Sequence, residues 1–360
     1  MSRVCLVGVG LIGGSLGLAL REAGWEVLGV DPDRASLARA LEIGAIDGAV
    51  ELEEGASRAE LAVIATPVEE VIPTCRKLLP ALARDALVMD VASTKCAIVQ
   101  KAEEILPGRF IGGHPMAGSE KGGIDAADPY LFENAPFVLC PGTGVDSKAI
   151  ARAEELVRKV GAIPIQMTAQ EHDEVVGMIS HLPHLCAVAL LDTLTGLEQK
   201  DQAMQLAAGG FRDLTRIASG SPELWRGILG SNRWVVAQLL GELQKSLQKS
   251  KEFLEQGDLT GLTAQLAKAK ETREKLPARR KGLLGASYEL LLSLPDRPGS
   301  LAKVTAVLAE AEINIQDLEI LRVREGEGGT VKLSFASDQA QQKAAERLRA
   351  SGFKPVLRHE

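Results

Sequence analysis

Hydrophobic and polar positions in the first 167 residues alternate between short apolar runs and longer amphipathic stretches. Amphipathic segments such as 147–160 separate several of these runs and are typical of helices. Strands that alternate with helices predict a mostly parallel, doubly wound α/β sheet. The predicted strands are Arg3–Val7, Glu26–Val30, 61–65, 87–91, 110–113, 137–140 and Ile163–Gln166.

Beyond residue 169 the strand pattern gives way to long amphipathic helices. The segment 234–254 repeats apolar residues with a period of 3.6, which indicates one continuous helix. Such a stripe needs an apolar partner surface, so we expect a second copy of the chain to cover it in a homodimer. The stripe comprises Val235, Val236, Leu239, Leu240, Leu243 and Leu247.

The last part of the chain follows a third pattern. A basic, glycine-containing segment at 277–287 is typical of a linker. The order strand, helix, strand, strand, helix, strand then predicts a ferredoxin-like fold, with a hairpin turn at 325–329. Its predicted elements are 288–294, 300–311, 313–323, 330–336, 339–350 and 353–357. We therefore divide the chain into a nucleotide-binding domain (1–168), a helical domain (169–276), the linker (277–287) and a small C-terminal domain (288–360).

Composition narrows the functional classes. A formal net charge of −7 disfavours nucleic acid as the main partner. The five cysteines are scattered without a C-x-x-C pair, so we expect reduced thiols and a cytoplasmic protein. Glycines interrupt the apolar N-terminal stretch, which argues against an export signal or a membrane span.

A glycine pattern after the first strand predicts a dinucleotide site. Gly8, Gly10 and Gly13 form G-x-G-x-x-G, and Asp31 follows 18 residues after Gly13, at the end of the second strand. The first helix then offers free N–H groups to a pyrophosphate. The carboxylate of Asp31 suits ribose hydroxyls and repels a 2′-phosphate, so NAD is favoured over NADP. The expected cofactor contacts are Gly8, Gly10, Leu11, Ile12, Gly13, Asp31, Thr66 and Pro67.

Two segments after predicted strands carry candidate chemistry. His114 lies in the glycine-dense stretch 112–123, interpreted as a loop, where an imidazole can act as a general base. Ser93, in the stretch 90–95, either hydrogen-bonds His114 or the substrate, or caps a helix that begins at Thr94. Lys95 is a candidate general acid or phosphate contact, with a solvated charge as the alternative.

Three further histidines cluster at His172, His181 and His184. Without completing cysteines or carboxylates we expect no metal site. A polar wall facing an acidic substrate is favoured, and buried core histidines are the alternative. Arg216 is the candidate guanidinium for a substrate carboxylate, with Arg212 as its competitor.

Together these motifs resemble the prephenate dehydrogenase family, including its arogenate-using relatives. The matching stretches are 8–20 with Asp31, DVASTK at 90–95, GGHPMAGSEKGG at 112–123, SHLPH at 180–184, and GGFRDLTRIASGSPELW at 209–225. The tail resembles an ACT domain, an amino-acid-sensing module, through the turn at 294–301 and the stretch 313–315.

The resemblance implies NAD-dependent oxidative decarboxylation of prephenate to 4-hydroxyphenylpyruvate, on the route to tyrosine. It makes His114 the catalytic histidine and Ser93 the serine that orients it. It implies that Arg216 holds a substrate carboxylate, that His184, and less clearly His172, line the substrate cavity, and that Glu120 gates the site.

For the tail, the resemblance implies an aromatic amino-acid effector, with tyrosine favoured, near Pro298, Gly299, Leu301 and Asn314. Three alternatives remain. In the first, the substrate is arogenate instead of prephenate. In the second, the enzyme is a β-hydroxyacid dehydrogenase that uses Lys95, which the His-Pro-Met block disfavours. In the third, the chain is a non-catalytic NAD-binding sensor.

Overall fold

The computed structural model describes residues 2–118, 122–276, 288–295, 297–324 and 328–358. The chain forms two compact units, Met1–Ala278 and Arg279–Glu360. The first unit contains both the sheet and the helical region that follows it. The predicted linker at 277–287 lies outside the described residues.

The first unit is built on an eight-stranded sheet with the order β3-β2-β1-β4-β5-β6-β7-β8. The first six strands in sequence run parallel, β7 pairs antiparallel with β6, and β8 runs parallel to β7. The strands are β1 (Arg3–Val7), β2 (Glu26–Val30), β3 (Gly48–Ala49), β4 (Leu61–Ile64), β5 (Leu87–Asp90), β6 (Phe110–Pro115), β7 (Pro136–Pro141) and β8 (Ile163–Gln166).

Helices cover both faces of this sheet, so alternate residues of one strand enter two separate cores. In β1, Val4 and Leu6 pack in one core, whereas Cys5 and Val7 pack in the other. The prediction of a doubly wound sheet is therefore confirmed. The covering helices are α1 (Leu11–Glu22), α2 (Arg34–Glu42), α3 (Leu52–Arg58), α4 (Val68–Leu78), α5 (Cys96–Ile105) and α6 (Ser147–Lys159), with a 3-10 turn at Ile124–Ala126.

The strand order reverses between β1 and β4, where ligands bind in open α/β sheets. Gly8 has a φ of +94°, which allows the turn out of β1. A Cβ on Gly13 would lie 1.9 Å from the Gly8 carbonyl oxygen, so only glycine lets α1 approach this turn. A Cβ on Gly10 would meet nothing within 4 Å, so the backbone there faces open space.

The position of His114 corrects one prediction. His114 lies within β6, opposite Val138 of β7, rather than in a loop beyond the strand. The antiparallel partner extends β6 by two residues past the predicted end. The neighbouring glycines serve packing instead of loop flexibility: a Cβ on Gly113 would lie 2.5 Å from the Asp90 carbonyl oxygen, and one on Gly112 would lie 2.7 Å from a methyl of Val99.

The helical region begins at a capping box, in which Thr168 and Glu171 satisfy each other's backbone N–H groups. A π-helical turn, Gly177–His181, joins the first two helices. A 3-10 turn, Arg216–Ser219, follows α10. The helices are α7 (Ala169–Val176), α8 (Leu182–Thr195), α9 (Lys200–Leu206), α10 (Gly209–Thr215), α11 (Pro222–Ser231), α12 (Arg233–Gln256) and α13 (Leu259–Glu274).

Helix α12 contains the predicted segment 234–254, and much of its apolar stripe is covered within one chain, since Val235, Leu239, Leu240 and Leu243 are half-buried. Val236 is buried, whereas Leu247 is 60% exposed. The continuous helical run Ala169–Thr195 is also apolar and long enough to cross a membrane by length and composition alone. Core and interface helices of other proteins pass the same test, so this run by itself indicates little.

The second unit has a four-stranded antiparallel sheet with the order β10-β11-β9-β12. Its elements follow the predicted βαββαβ order, and the ferredoxin-like fold is confirmed. They are β9 (Tyr288–Leu294), α14 (Ser300–Glu310), β10 (Asp317–Arg324), β11 (Gly328–Phe335), α15 (Asp338–Ala350) and β12 (Val356–Arg358). Most of the hairpin turn predicted at 325–329 lies outside the described residues.

Two strand starts in this unit were predicted too early. The strand expected at 313 begins at Asp317, because Ile313 donates its N–H to the Leu308 carbonyl and ends α14. The strand expected at 353 begins at Val356, because Phe353 closes the end of α15 in the same way, onto Leu348.

Candidate active site

A cavity of about 280 Å³ opens between the sheet and the helical region of the first unit. The sheet side contributes His114 from β6 and Ser93 from the segment after β5. The helical side contributes His181 from the π-helical turn and Trp225 from α11. The other lining residues are Pro115, Met116, Ala117, Gly118, Ser180 and Ile228.

His114 is the start of a hydrogen-bonded chain that runs away from the cavity. Its Nδ1 lies 2.7 Å from Nε2 of His172, and Nδ1 of His172 lies 2.8 Å from Oδ1 of Asp173. Both His172 and Asp173 are buried. His114 therefore contacts the buried His172 through Nδ1, on the side of its ring that faces away from the cavity.

Asp173 is held by the first turn of α5. Its carboxylate accepts hydrogen bonds from the backbone N–H groups of Lys95 (2.7 Å) and Cys96 (2.8 Å). Burial raises the pKa of this carboxyl, but the hydrogen bonds from His172, Cys96 and Lys95 together outweigh burial and lower the pKa. Asp173 is thus an ionised acceptor at the positive end of a helix.

This arrangement excludes one of the two interpretations of Ser93. Helix α5 begins at Cys96 with Lys95 as its N-cap residue, and Asp173 supplies the carboxylate that bonds its first amides. Ser93 does not cap a helix that begins at Thr94. It lies in the cavity wall together with His114.

The chain of hydrogen bonds also sets the proton positions on His114. An ionised Asp173 only accepts, so Nδ1 of His172 carries the proton. With the proton on Nδ1, Nε2 of the same ring is the acceptor, and His114 donates to it from Nδ1. That assignment leaves Nε2 of His114 with a lone pair. Burial is the largest cause that lowers the pKa of His114 well below its usual value, and the basic neighbours His172, Lys95 and His181 lower it further because a proton on His114 would be repelled by a proton on any of them.

Lys95 is neither a substrate contact nor a solvated charge. Its ammonium forms an ion pair with the Asp90 carboxylate, and both side chains are fully buried. Asp90 also accepts from the backbone N–H groups of Gly113 (3.2 Å) and Ala92 (3.0 Å). The pair therefore ties the end of β5 to β6 beside His114.

The three clustered histidines are all buried, and they occupy different positions. His181 reaches the cavity wall. His184 stacks on Trp225, with ring centroids 3.6 Å apart and planes 13° apart, and is not among the described residues that line the cavity. Burial lowers the pKa of His184 more than its hydrogen bond with the Ile217 backbone raises it.

The expected anion-binding group, Arg216, is exposed at the start of the 3-10 turn. The adjacent Ile217 is hydrogen-bonded to His184, which places this turn on the wall behind Trp225. Arg212 is also exposed and donates to the Ala207 carbonyl. Glu120, the predicted gating acid, lies outside the described residues.

The predicted cofactor residues lie around the reversal of strand order. Helix α1 has no side-chain cap and no acidic residue in its first turn, so the amides of Leu11, Ile12 and Gly13 face outward without a competing carboxylate. Asp31 accepts from the backbone N–H of Val9 (2.9 Å) and of Asp33. Each of its oxygens keeps a lone pair for a ribose hydroxyl.

On the opposite side of this crevice, Thr66 and Pro67 follow β4, and Pro67 precedes α4. These residues fit a dinucleotide. Within the described ranges there is no group of three or more His, Cys, Asp or Glu side chains that suits a metal.

Comparison with known proteins assigns the chain to a family. Residues 16–166 match the family model for the nucleotide-binding domain of prephenate dehydrogenase, and residues 168–268 match the model for its dimerization domain. The chain belongs to the prephenate dehydrogenase family. Residues 288–350 match the ACT domain.

Individual relatives extend this match over the whole chain. A prephenate dehydrogenase of Bacillus subtilis is 37% identical, covering 96% of this chain and 95% of its own. One from Lactococcus lactis is 34% identical, covering 96% and 97%.

Solved structures match the first part of the chain. A prephenate dehydrogenase from A. aeolicus, in complex with hydroxyphenyl propionate and NAD+, is 33% identical with a TM-score of 0.73, covering 77% of this chain and 99% of its own. Synechocystis arogenate dehydrogenase is also 33% identical, with a TM-score of 0.70, covering 76% and 100%.

Three residues of this site were not predicted from the sequence to belong to it. Trp225 ends the motif 209–225, but the sequence assigned it no role of its own. Asp173 follows His172 directly, but adjacency does not predict that it caps a distant helix. Asn232, buried between α11 and α12, contacts both Asp173 and His181. Only the tertiary structure brings these residues together.

The buried ion pair yields a stability prediction. Lys95→Met leaves the Asp90 carboxylate buried without its cation, so we expect the free energy of unfolding to fall by about 3–5 kcal/mol. Urea unfolding followed by tryptophan fluorescence measures this, because Trp25, Trp225 and Trp234 all lie in the first unit.

Lys101→Met is the matched control, since Lys101 is exposed on the same helix. It should change stability by less than about 0.5 kcal/mol. Equal stability of the two variants would show that the ion pair does not hold the strands.

Proposed function

We propose that this chain catalyses the NAD-dependent oxidative decarboxylation of prephenate to 4-hydroxyphenylpyruvate. The observation that carries the proposal is the cavity at the end of β6, where His114 stands in the wall and is hydrogen-bonded on its far side to the His172–Asp173 pair. The family assignment and the NAD-bound relative support the same chemistry.

The residues around α1 are those that would hold the cofactor. Gly10 leaves room for the pyrophosphate, the amides of Leu11, Ile12 and Gly13 bind it, and Asp31 binds the adenosine ribose. Thr66 and Pro67 form the opposite wall of the crevice. NAD, when bound, supplies the acceptor for a hydride.

The reaction requires one base and no metal. His114 takes the proton of the ring hydroxyl through Nε2 as the hydride leaves the carbon that bears this hydroxyl. The electrons of the carbon–carboxylate bond then enter the ring, carbon dioxide departs, and the proton held by His114 returns to the ring oxygen to give the phenol. Aromatisation of the ring drives the loss of carbon dioxide. Ser93 lies in the same wall, where its hydroxyl can orient the histidine and the substrate hydroxyl.

His114→Asn removes the base and preserves a small polar side chain. We expect kcat to fall by about 10²–10⁴-fold while the Kd for NAD stays within about twofold of the native value. Because burial lowers the pKa of His114, the native base stays unprotonated through neutral pH, and kcat/KM declines only as acidity protonates it. Initial rates of NADH formation between pH 5 and 9 test both expectations.

Near-native turnover of the variant would refute the mechanism. If kcat/KM of the native protein already declines as the pH is lowered from 9 to 7, the assigned unprotonated state of His114 is contradicted.

Arg216→Ala removes the proposed partner of a substrate carboxylate. We expect KM for prephenate to rise about 10- to 100-fold with a smaller change in kcat, because a charge-assisted pair contributes about 1.5–3 kcal/mol. Arg212→Ala is the matched control from the same surface segment and should leave KM within about twofold. An unchanged KM in the Arg216 variant would remove this residue from the site.

Arogenate is the second candidate substrate, because the Synechocystis relative is an arogenate dehydrogenase. Arogenate carries an amine where prephenate carries a ketone. The ratio of kcat/KM for the two compounds decides between them. If neither compound yields NADH, the remaining hypothesis is a non-catalytic NAD-binding sensor.

The functional form of the chain, we propose, is a cytoplasmic homodimer. The exposed end of the α12 stripe, at Leu247, lies in the region that matches a dimerization domain. The five free cysteines are in keeping with a reducing compartment.

The C-terminal domain, on this proposal, binds an aromatic amino acid, and its geometry requires two copies. Pro298 and Gly299 precede α14, whereas Asn314 follows it. An 11-residue helix is about 16 Å long, so these residues lie at opposite ends and cannot meet one small ligand within one chain. Pairing of two ACT domains brings one copy's turn, with Leu301, toward the other copy's Asn314.

Calorimetry on the full-length protein tests this site. We expect tyrosine to bind with measurable heat, one molecule per shared site, and Asn314→Ala to weaken this binding at least tenfold. Gln316→Ala, two residues further along the same segment, is the control. The absence of binding by tyrosine, phenylalanine and tryptophan would overturn the regulatory proposal and leave the catalytic one intact.

A further inference from the structure

A buried asparagine at the junction of α11 and α12 contacts the second cavity histidine. Nδ2 of Asn232 lies 2.8 Å from the backbone carbonyl oxygen of Asp173 and 3.2 Å from Nδ1 of His181. Both Asn232 and His181 are at least 97% buried. Water therefore does not compete for this hydrogen bond.

The contacts determine which way the amide points. A backbone carbonyl only accepts, so the amide group facing Asp173 is the NH2 and not the oxygen. The second hydrogen of the same NH2 is directed at His181, whose Nδ1 must then accept. A neutral imidazole that accepts at Nδ1 carries its proton on Nε2.

The local fold explains how Asn232 comes this close. Gly177 begins the π-helical turn, and a Cβ there would lie 3.0 Å from side-chain carbons of Val235 and Leu239. Glycine therefore lets the start of α12 pack on the turn. Single π-helical turns are rare, and they occur frequently at functional sites. Here the turn places Ser180 and His181 in the cavity wall.

We propose that Asn232 is a positioning residue that holds His181 as a neutral Nε2–H donor for an oxygen atom of the bound substrate. The inference rests on the proposed function, because it assumes that the cavity binds an oxygen-rich carboxylic acid. The cavity then presents two imidazoles in opposite roles: His114 offers a lone pair through the His172–Asp173 chain, and His181 offers a hydrogen through Asn232.

The surroundings of His181 favour the neutral ring. Burial is the largest cause that lowers its pKa to about 4, and His172 and His184 lower it further, while Asp173 opposes them. Trp225 meets the ring edge-on, with centroids 6.1 Å apart, and brings no charge. A neutral donor binds a substrate oxygen without adding a second cation beside His114, where a cation would weaken the base.

The tautomer can be read directly on the native protein. The chain has five histidines, and ¹⁵N spectra of histidine-labelled protein distinguish protonated from unprotonated ring nitrogens, with the signals of His181 assigned by loss in His181→Gln. We expect His181 to show a protonated Nε2 and an unprotonated Nδ1 from pH 6 to 8. A protonated Nδ1, or titration within that range, would overturn the proposal.

Asn232→Asp tests the role of the amide. A carboxylate accepts where the NH2 donated, so the His181 signals should shift to a protonated Nδ1 and titrate at higher pH. We expect kcat/KM to fall about 10- to 100-fold, mainly through KM, because the substrate loses its donor. Ser231→Ala is the matched control: Ser231 adjoins Asn232 and hydrogen-bonds Thr94 (2.9 Å) instead of a histidine. It should leave the His181 signals in place.

The spectra separate the two proposals. An assigned Nε2–H tautomer in a protein that oxidises neither prephenate nor arogenate would remove the proposed function and the substrate contact while preserving the role of Asn232. Activity together with unchanged His181 signals in Asn232→Asp would remove the positioning role alone.

Discussion

The carboxylate of Asp173 is the contact on which the site depends. It bonds the first amides of α5, which fixes the segment that carries Ser93 and Lys95. The same carboxylate accepts the proton of His172 and thereby sets the nitrogen that His114 turns to the cavity. The first amides of any helix need hydrogen-bond acceptors. In α5 this acceptor is Asp173, which also orients His114 through His172.

Close backbone approach is the second constraint. Glycines at 13, 113 and 177 stand where a Cβ would lie 1.9 Å, 2.5 Å and 3.0 Å from a neighbouring atom, respectively. The first packs α1 on the dinucleotide turn, the second packs β6 on β5, and the third packs the π-helical turn on α12. Each contact brings one functional group into place: the helix amides, His114 and His181.

Sequence patterns predicted the elements better than the contacts between them. The apolar alternation indicated the parallel sheet, and the spacing of glycines with Asp31 indicated the dinucleotide crevice, because both signals are local. His114 was misplaced in a loop because the antiparallel pairing with β7 that extends β6 is not local. The fully buried state of Lys95 was missed because it depends on Asp90 lying beneath it in the folded sheet. The link between His172 and the start of α5 has no local signal.

The distribution of charge follows from the same burial. In the cavity wall, the imidazoles of His114 and His181 have pKa values lowered by burial, and behind the wall the fully buried ammonium of Lys95 is paired with Asp90. These groups can move a proton or donate a hydrogen bond, but they do not supply net positive charge to a dianion. Attraction must come from cations nearer the solvent, and Arg216 is exposed beside the wall that carries His184 and Trp225. On the proposed roles, proton transfer and the capture of carboxylates lie at different depths of the same site, which keeps a strong cation from lowering the basicity of His114.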